Sequence, residues 1–211
     1  MNVEQPSRAG CEANTEQPPH TACEASTEQP REACDWQDIV LQRYRRGNSI
    51  LFIKTDEIFA ELTSLLAVES RKTVVLWALG LAEETVNELA CQYPDEERPR
   101  VALSAARSWA AGKIKMPEAR PAILACHAAA RDMPNEAAVL YCHAVGQACS
   151  VVHTVGHALG YPSYELTAIA RVAGVFDCRE QIETRIHEYI EWLYYWRAHT
   201  CDYPDWAKFL R

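Results

Sequence analysis

The segment HTVGHALG, His153 to Gly160, sets two histidines four residues apart. On a helix that spacing puts both imidazoles on one face, one turn from each other, as in a pair of metal ligands. A zinc-protease helix also needs a carboxylate directly after the first histidine, and Thr154 stands there instead. A further ligand would have to come from a neighbouring helix, and His127 in EARPAILACHAAAR is the obvious donor. Arg120 and Arg131 share its helical face, however, and no Asp or Glu on that face offsets their charge against a bound ion. His143 falls within an arc of about 80° of the other two but about 15 Å along the axis from His153, too far to share an ion with it. The chemistry best suited to His127, Gln147, His153 and His157 is hydrogen bonding, buried or half-buried, that registers close-packed helices against each other. The alternative is a polar ligand pocket lined by the same residues with Arg107, Arg120 and Arg131. No metal and no other cofactor is expected.

Histidine as acid–base with arginine holding phosphate would give a small hydrolase or nuclease. Against this stand the lack of a carboxylate to orient an imidazole and of a glycine loop to cradle phosphate. Cys142 adjoins His143, but helical neighbours point about 100° apart. Nine cysteines are an odd number with no CxxC pair, and Cys126, Cys142 and Cys149 sit among alanines and valines. Reduced thiols used as small apolar residues in a cytoplasm are expected.

Helices must position these residues. The chain has 211 residues, 48% of them apolar, enough for one domain with a sizeable core or one domain plus a tail. Glu-Gln-Pro recurs at 4, 16 and 28, so residues 1–34 read as a twelve-residue repeat with almost no large apolar side chain, expected to be a disordered tail. MNVEQPSRAG lacks the basic start and apolar run of a secretory leader. Residues 137–164 carry no Asp, Glu, Lys or Arg, yet His143, Gln147, Ser150, His153 and His157 spread along them, which favours a fully buried helix over a membrane span. That helix is expected to open at Pro134-Asn135-Glu136 and end at Gly160-Tyr161-Pro162. Ahead of it, Ile39 to Leu41 read as a short helix or strand, RYRR as a solvated basic turn and DEIFAELTSLL as helical. In SRKTVVLWALGLAEETVNELACQYPD the stripe Val75, Leu79, Ala82, Val86 and Leu89 predicts a long amphipathic helix. RPRVALSAARSWAAG stops at Gly112, and PEARPAILACHAAARDM follows with Pro121 expected to shorten its helix. SYELTAIARVAG gives a shorter helix.

In CREQIETRIHEYIEWLYYWRAHT, Ile182, Ile186, Tyr189, Leu193 and Trp196 form one stripe, while Thr184, Glu188, Glu191 and Tyr195 point away. The expected fold is all-α, an antiparallel multi-helix bundle, divided into the tail (1–34), an alanine-rich helical domain (35–174) and the C-terminal amphipathic aromatic helix packed on it (175–211).

The ordered pieces VVLWALGLAEE, RPRVALSAARSWAAGKI, EARPAILACHAAAR and AVGQACSVVHTVGHALGYPSYELTAI, with Arg98-Pro99, Arg107, Trp109, His127, Arg131, Gln147, His153 and His157, carry a resemblance over residues 55–172. The chain resembles the immunity proteins of bacterial polymorphic toxin systems, the group called the immunity-protein-five-like domain. The resemblance implies a helical cytoplasmic protein that binds a cognate toxin and blocks it. The repeat and the aromatic C-terminal helix depart from the pattern.

Net charge is −8, from 29 acids against 21 bases, which disfavours nucleic acid and favours a basic protein partner. No membrane association is expected. Trp192, Tyr195 and Trp206 are the candidate partner-binding anchors, as exposed aromatics near the C-terminus.

Overall fold

Asp35 starts the first helix: its carboxylate accepts the N–H of Gln37, so α1 (Trp36–Arg45) begins at a side-chain cap. In the computed structural model the described residues are 35–210, and the expectation of a disordered repeat tail lies outside them. RYRR is not a solvated turn. Its first three residues complete α1, where Arg43 pairs with Asp56 (2.7 Å) and donates to the Leu51 carbonyl (2.7 Å). The apolar run after it is a loop that plugs the core with Leu51 and Phe52, and Thr167 Oγ1 accepts the Leu51 N–H (3.1 Å). A 3-10 turn leads into α2 (Ala60–Val68).

Ser70 then caps α3 (Arg71–Gln92) by accepting the Thr73 N–H (3.1 Å). The expected stripe of Val75, Leu79, Ala82, Val86 and Leu89 is buried, but so are Val74, Trp77, Ala78, Leu81 and Thr85. The helix is therefore covered on most sides, by α4 (Arg98–Ala110), α6 (Glu136–Ser150) and α8 (Arg179–His199), and is the axis of the bundle. Successive helices pack as neighbours, α4 on α5 (Met116–Ala129), α5 on α6, α6 on α7 (Gly160–Ala173) and α7 on α8, through short connections. Among the described residues there are eight α-helices and no strand, so the chain is an all-α bundle. No helix among them is long and apolar enough to cross a membrane.

Two expectations about helix ends are corrected. The uncharged stretch is not one helix: α6 stops at Ser150, and its residues 151–159 make a turn and a 3-10 segment, Val155–His157. Val151, Val152, Thr154 and Val155 are β-branched and Gly156 follows, which lowers helix propensity where Thr154 offers a competing local bond to the Gly156 N–H (3.4 Å). Gly160-Tyr161-Pro162 does not end a helix but opens α7, because proline in a first turn forfeits no intrahelical bond. Pro121, in turn, does not shorten α5, which runs through it. Pro117 and Pro121 are both exposed, so the carbonyl left without a donor faces water.

One core joins the elements, from Val40 through Trp77 and Tyr161 to Ile182, Tyr189 and Leu193 of α8. Trp77 Nε1 donates to the Tyr189 carbonyl across it (2.9 Å). After α8 the chain returns to the bundle, where the Ala207 N–H donates to the Ala110 carbonyl at the end of α4 (2.8 Å).

Candidate functional site

Three imidazoles meet where α5, α6 and the 3-10 segment converge. His127 of α5 lies against Gly146 of α6, so closely that a Cβ there would stand 2.5 Å from the ring. One turn earlier on α6, His143 faces it with Nδ1 3.2 Å from Nδ1. One ring must then donate Nδ1–H and the other accept, which fixes complementary tautomers. Tyr164 of α7 covers the far side of His143, ring centres 5.2 Å apart. One turn later on α6, Gln147 Oε1 bonds His157 Nδ1 (3.0 Å), and the Gln147 side chain fills the space that a Cβ at Gly160 would take. Glycine is needed at 146 and 160 because a ring and an amide occupy those places.

Burial pushes the His127 pKa down, and the neighbouring His143 and His157 push it further. Burial lowers that of His143 as well. Both rings are thus held neutral near pH 7. Among the described residues no carboxylate bonds any of the three, so none of them orients an imidazole as a general base. Among the described residues no group of three or more His, Cys, Asp or Glu side chains could hold a metal ion. Cys142, next to His143 in sequence, is fully buried, and burial first of all pushes its thiol up to about 12. The cluster can donate and accept hydrogen bonds between helices; it does not form an acid–base or nucleophilic pair.

Of the seven polar residues singled out by sequence, the structure brings together His127, Gln147 and His157, and it adds His143. The other four lie elsewhere. With α6 ended at Ser150, His153 shares no helical face with His157: it is exposed, stacks on Trp109 (6.4 Å between ring centres) and gives its carbonyl to Arg71 (3.2 Å). Arg107 points to α3 and pairs with Glu83 at 2.7 Å. Arg120 and Arg131 are exposed and bond none of the three histidines. Arg107 borders a groove of about 780 Å³ between α3, α4 and the C-terminal segment, floored by Leu76, Leu79 and Leu103 and walled by Trp196.

The three aromatic anchors also separate. Tyr195 is exposed as expected, against Trp192, Trp196 and His199. Trp192 is half-buried, stacked on Trp196. Trp206 is a correction: it is 8% exposed, packed into the core with Lys72 over its ring, because the C-terminal segment folds back on α3 and α4.

A buried ionic cluster escaped the sequence reading. Glu165 of α7, 7% exposed, accepts from Arg185 of α8 through Nε (3.0 Å) and Nη2 (2.9 Å), and from the hydroxyls of Tyr161 and Tyr189. Thr85 of α3 bonds Tyr161 in turn (2.7 Å). The signal was there in part: Glu165 is the first charge after 28 uncharged residues and stands one turn from a tyrosine.

A family model described as Imm-5 like putative immunity protein matches residues 64–192. The chain belongs to that family. The Imm-5 like match starts within α2 and ends at Trp192, so it takes in α3 to α7 and two thirds of α8. Much of the aromatic C-terminal helix therefore lies inside the family pattern, contrary to expectation, and only its last turns depart from it. No curated protein and no solved structure matches the chain.

Proposed function

We propose that this Imm-5 like chain is an immunity protein that binds a cognate bacterial protein toxin in the cytoplasm and neutralises it without chemistry of its own. The observation that carries the reading is the family match over most of the helical body. The site supports a binding role: the histidines are tied to each other and to Gln147, with no carboxylate in reach to run hydrolysis. Free cysteines at six described positions suit a reducing compartment. Exposed apolar side chains able to anchor a partner lie on two faces, Tyr195 of α8, beside the half-buried Trp192, and Met116 and Leu124 of α5.

The test is co-expression with the toxin domain encoded by the adjacent gene. Growth should be rescued, and the two proteins should elute together at fixed stoichiometry in size-exclusion chromatography. Rescue without a stable complex, or a complex without rescue, would reject neutralisation by binding.

A further inference from the structure

Most of the described arginines of this protein are ion-paired. Arg98 pairs with Glu96 and Asp132, Arg100 with Glu97, Arg107 with Glu83, Arg179 with Asp35 and Glu183, and Arg197 with Glu69. Exposed cations outside any ion pair among the described residues stand at the end of α1 and in the loop after it, as Arg45, Arg46 and Lys54, and on the hairpin of α4 and α5, where they flank exposed apolar side chains. Lys113 and Lys115 in its loop, Arg120 on α5 and Arg131 just beyond it are all exposed, and none is in an ion pair among the described residues. Apolar surface runs through them. Met116, Arg120, Leu124 and His127 fall within an arc of about 80° on the helix, and Met116 and Leu124 are 38% and 49% exposed. Arginine around an exposed leucine and methionine, on a rigid helix, is the composition of a protein-binding face rather than of a solvated one. Its acidic neighbours are occupied: Glu118 caps the Lys115 N–H (2.9 Å) and Asp132 holds Arg98 (2.7 Å).

Net charge alone points the other way, toward a basic partner. Residues 1–34, however, hold six of the 29 acids and only two of the 21 bases, which is half of the −8. At contact distance the local charges decide, since screening cuts more distant ones off within about 8 Å.

We infer that the outer face of α5, with Arg120, Leu124 and Arg131 at its centre, is the surface that docks an acidic patch of the toxin, an apolar side chain of the toxin seating on Leu124. The inference rests on the immunity reading and deepens it. The whole of α5 lies within the family match, whereas Tyr195 lies past its end.

The experiment titrates the full-length protein into the adjacent gene's toxin domain by calorimetry. Arg120→Glu with Arg131→Glu should weaken binding by about 100-fold or more, with the melting temperature unchanged because neither side chain is in a folded-state pair. Arg46→Glu with Lys54→Glu, an equal charge change just past the end of α1 and in the loop after it, should weaken it by less than about threefold, as should Tyr195→Ala. If the wild type binds and the α5 double variant binds within threefold of it, or if Tyr195→Ala does the damage instead, the docking face is elsewhere. Failure of the wild type to bind would reject the immunity reading itself. A 20-base-pair duplex serves as second probe: tight binding at physiological salt, lost in the α5 double variant, would replace the acidic protein with nucleic acid.

Discussion

His127 and His143 form a pair that can hold one proton between their Nδ1 atoms, and a second proton would set two donors face to face at 3.2 Å. Both folded-state values lie below the usual histidine value, for which burial is the first cause. The unfolded chain therefore takes up protons first as pH falls, and the stability that the pair contributes is complete above about pH 6.5 and lost below it. The urea midpoint should drop between about pH 7 and pH 5, and the drop should be smaller in His143→Gln. Equal drops in the two proteins would mean that other groups govern the acid limb. Gly146→Ala tests the same contact sterically. A Cβ 2.5 Å from the His127 ring must displace it, at a cost of about 1–3 kcal/mol in chemical denaturation. No loss of stability would show that the ring is not seated there.

Helix α8 presents two kinds of aromatic residue one position apart. Trp196 packs over Gly80 of α3, whose missing side chain makes the space, while Tyr195 is 45% exposed. Trp196→Ala should cost about 3 kcal/mol or more through the cavity it opens, and Tyr195→Ala should cost under about 1 kcal/mol. Equal losses would show that the amphipathic split of this helix is wrong. That split was legible in the sequence, because Ile182, Tyr189 and Leu193 recur at helical spacing and all are buried. So were α3, whose serine cap and stripe stand at its start and along its length, and the α4 stop at Gly112, which has φ of +75°. The break after Ser150 was not. Absence of charge signals burial but does not separate one buried helix from two, and the β-branched run that divides them is as apolar as the helices. His153 was lost from the candidate cluster with it, since His153 and His157 share a face only on an unbroken helix. His143 was set aside on axial distance from His153, although its partner proved to be His127, on another helix.

On the scale of the whole molecule, charge is arranged unevenly: among the described residues, exposed cations outside any ion pair stand on the α4–α5 hairpin and near the end of α1, while acids prevail over the chain as a whole. If α5 meets an acidic patch, short-range attraction works against a net repulsion. Raising salt from about 50 to 500 mM should then raise the off-rate from the toxin domain several-fold with little change in the on-rate. An on-rate that falls more than tenfold in surface plasmon resonance would show that the toxin is basic overall and that long-range steering brings it in. The other whole-molecule device is the buried contact of Glu165 with Arg185, Tyr161 and Tyr189, which ties α7 to α8 and, through Thr85, to α3. Losing Arg185 strands the buried Glu165 carboxylate, at a cost of about 3–5 kcal/mol, whereas losing Glu165 leaves Arg185 its ion pairs with Glu84 (2.9 Å) and Glu188 (2.7 Å), and exchanging both for apolar residues of like volume is nearly neutral. Loss of Arg185 alone is thus closed to descent and joint exchange is open. Among relatives of this chain, position 185 is expected to vary only together with position 165, so loss of the arginine should be inherited with loss of the carboxylate as one character rather than two.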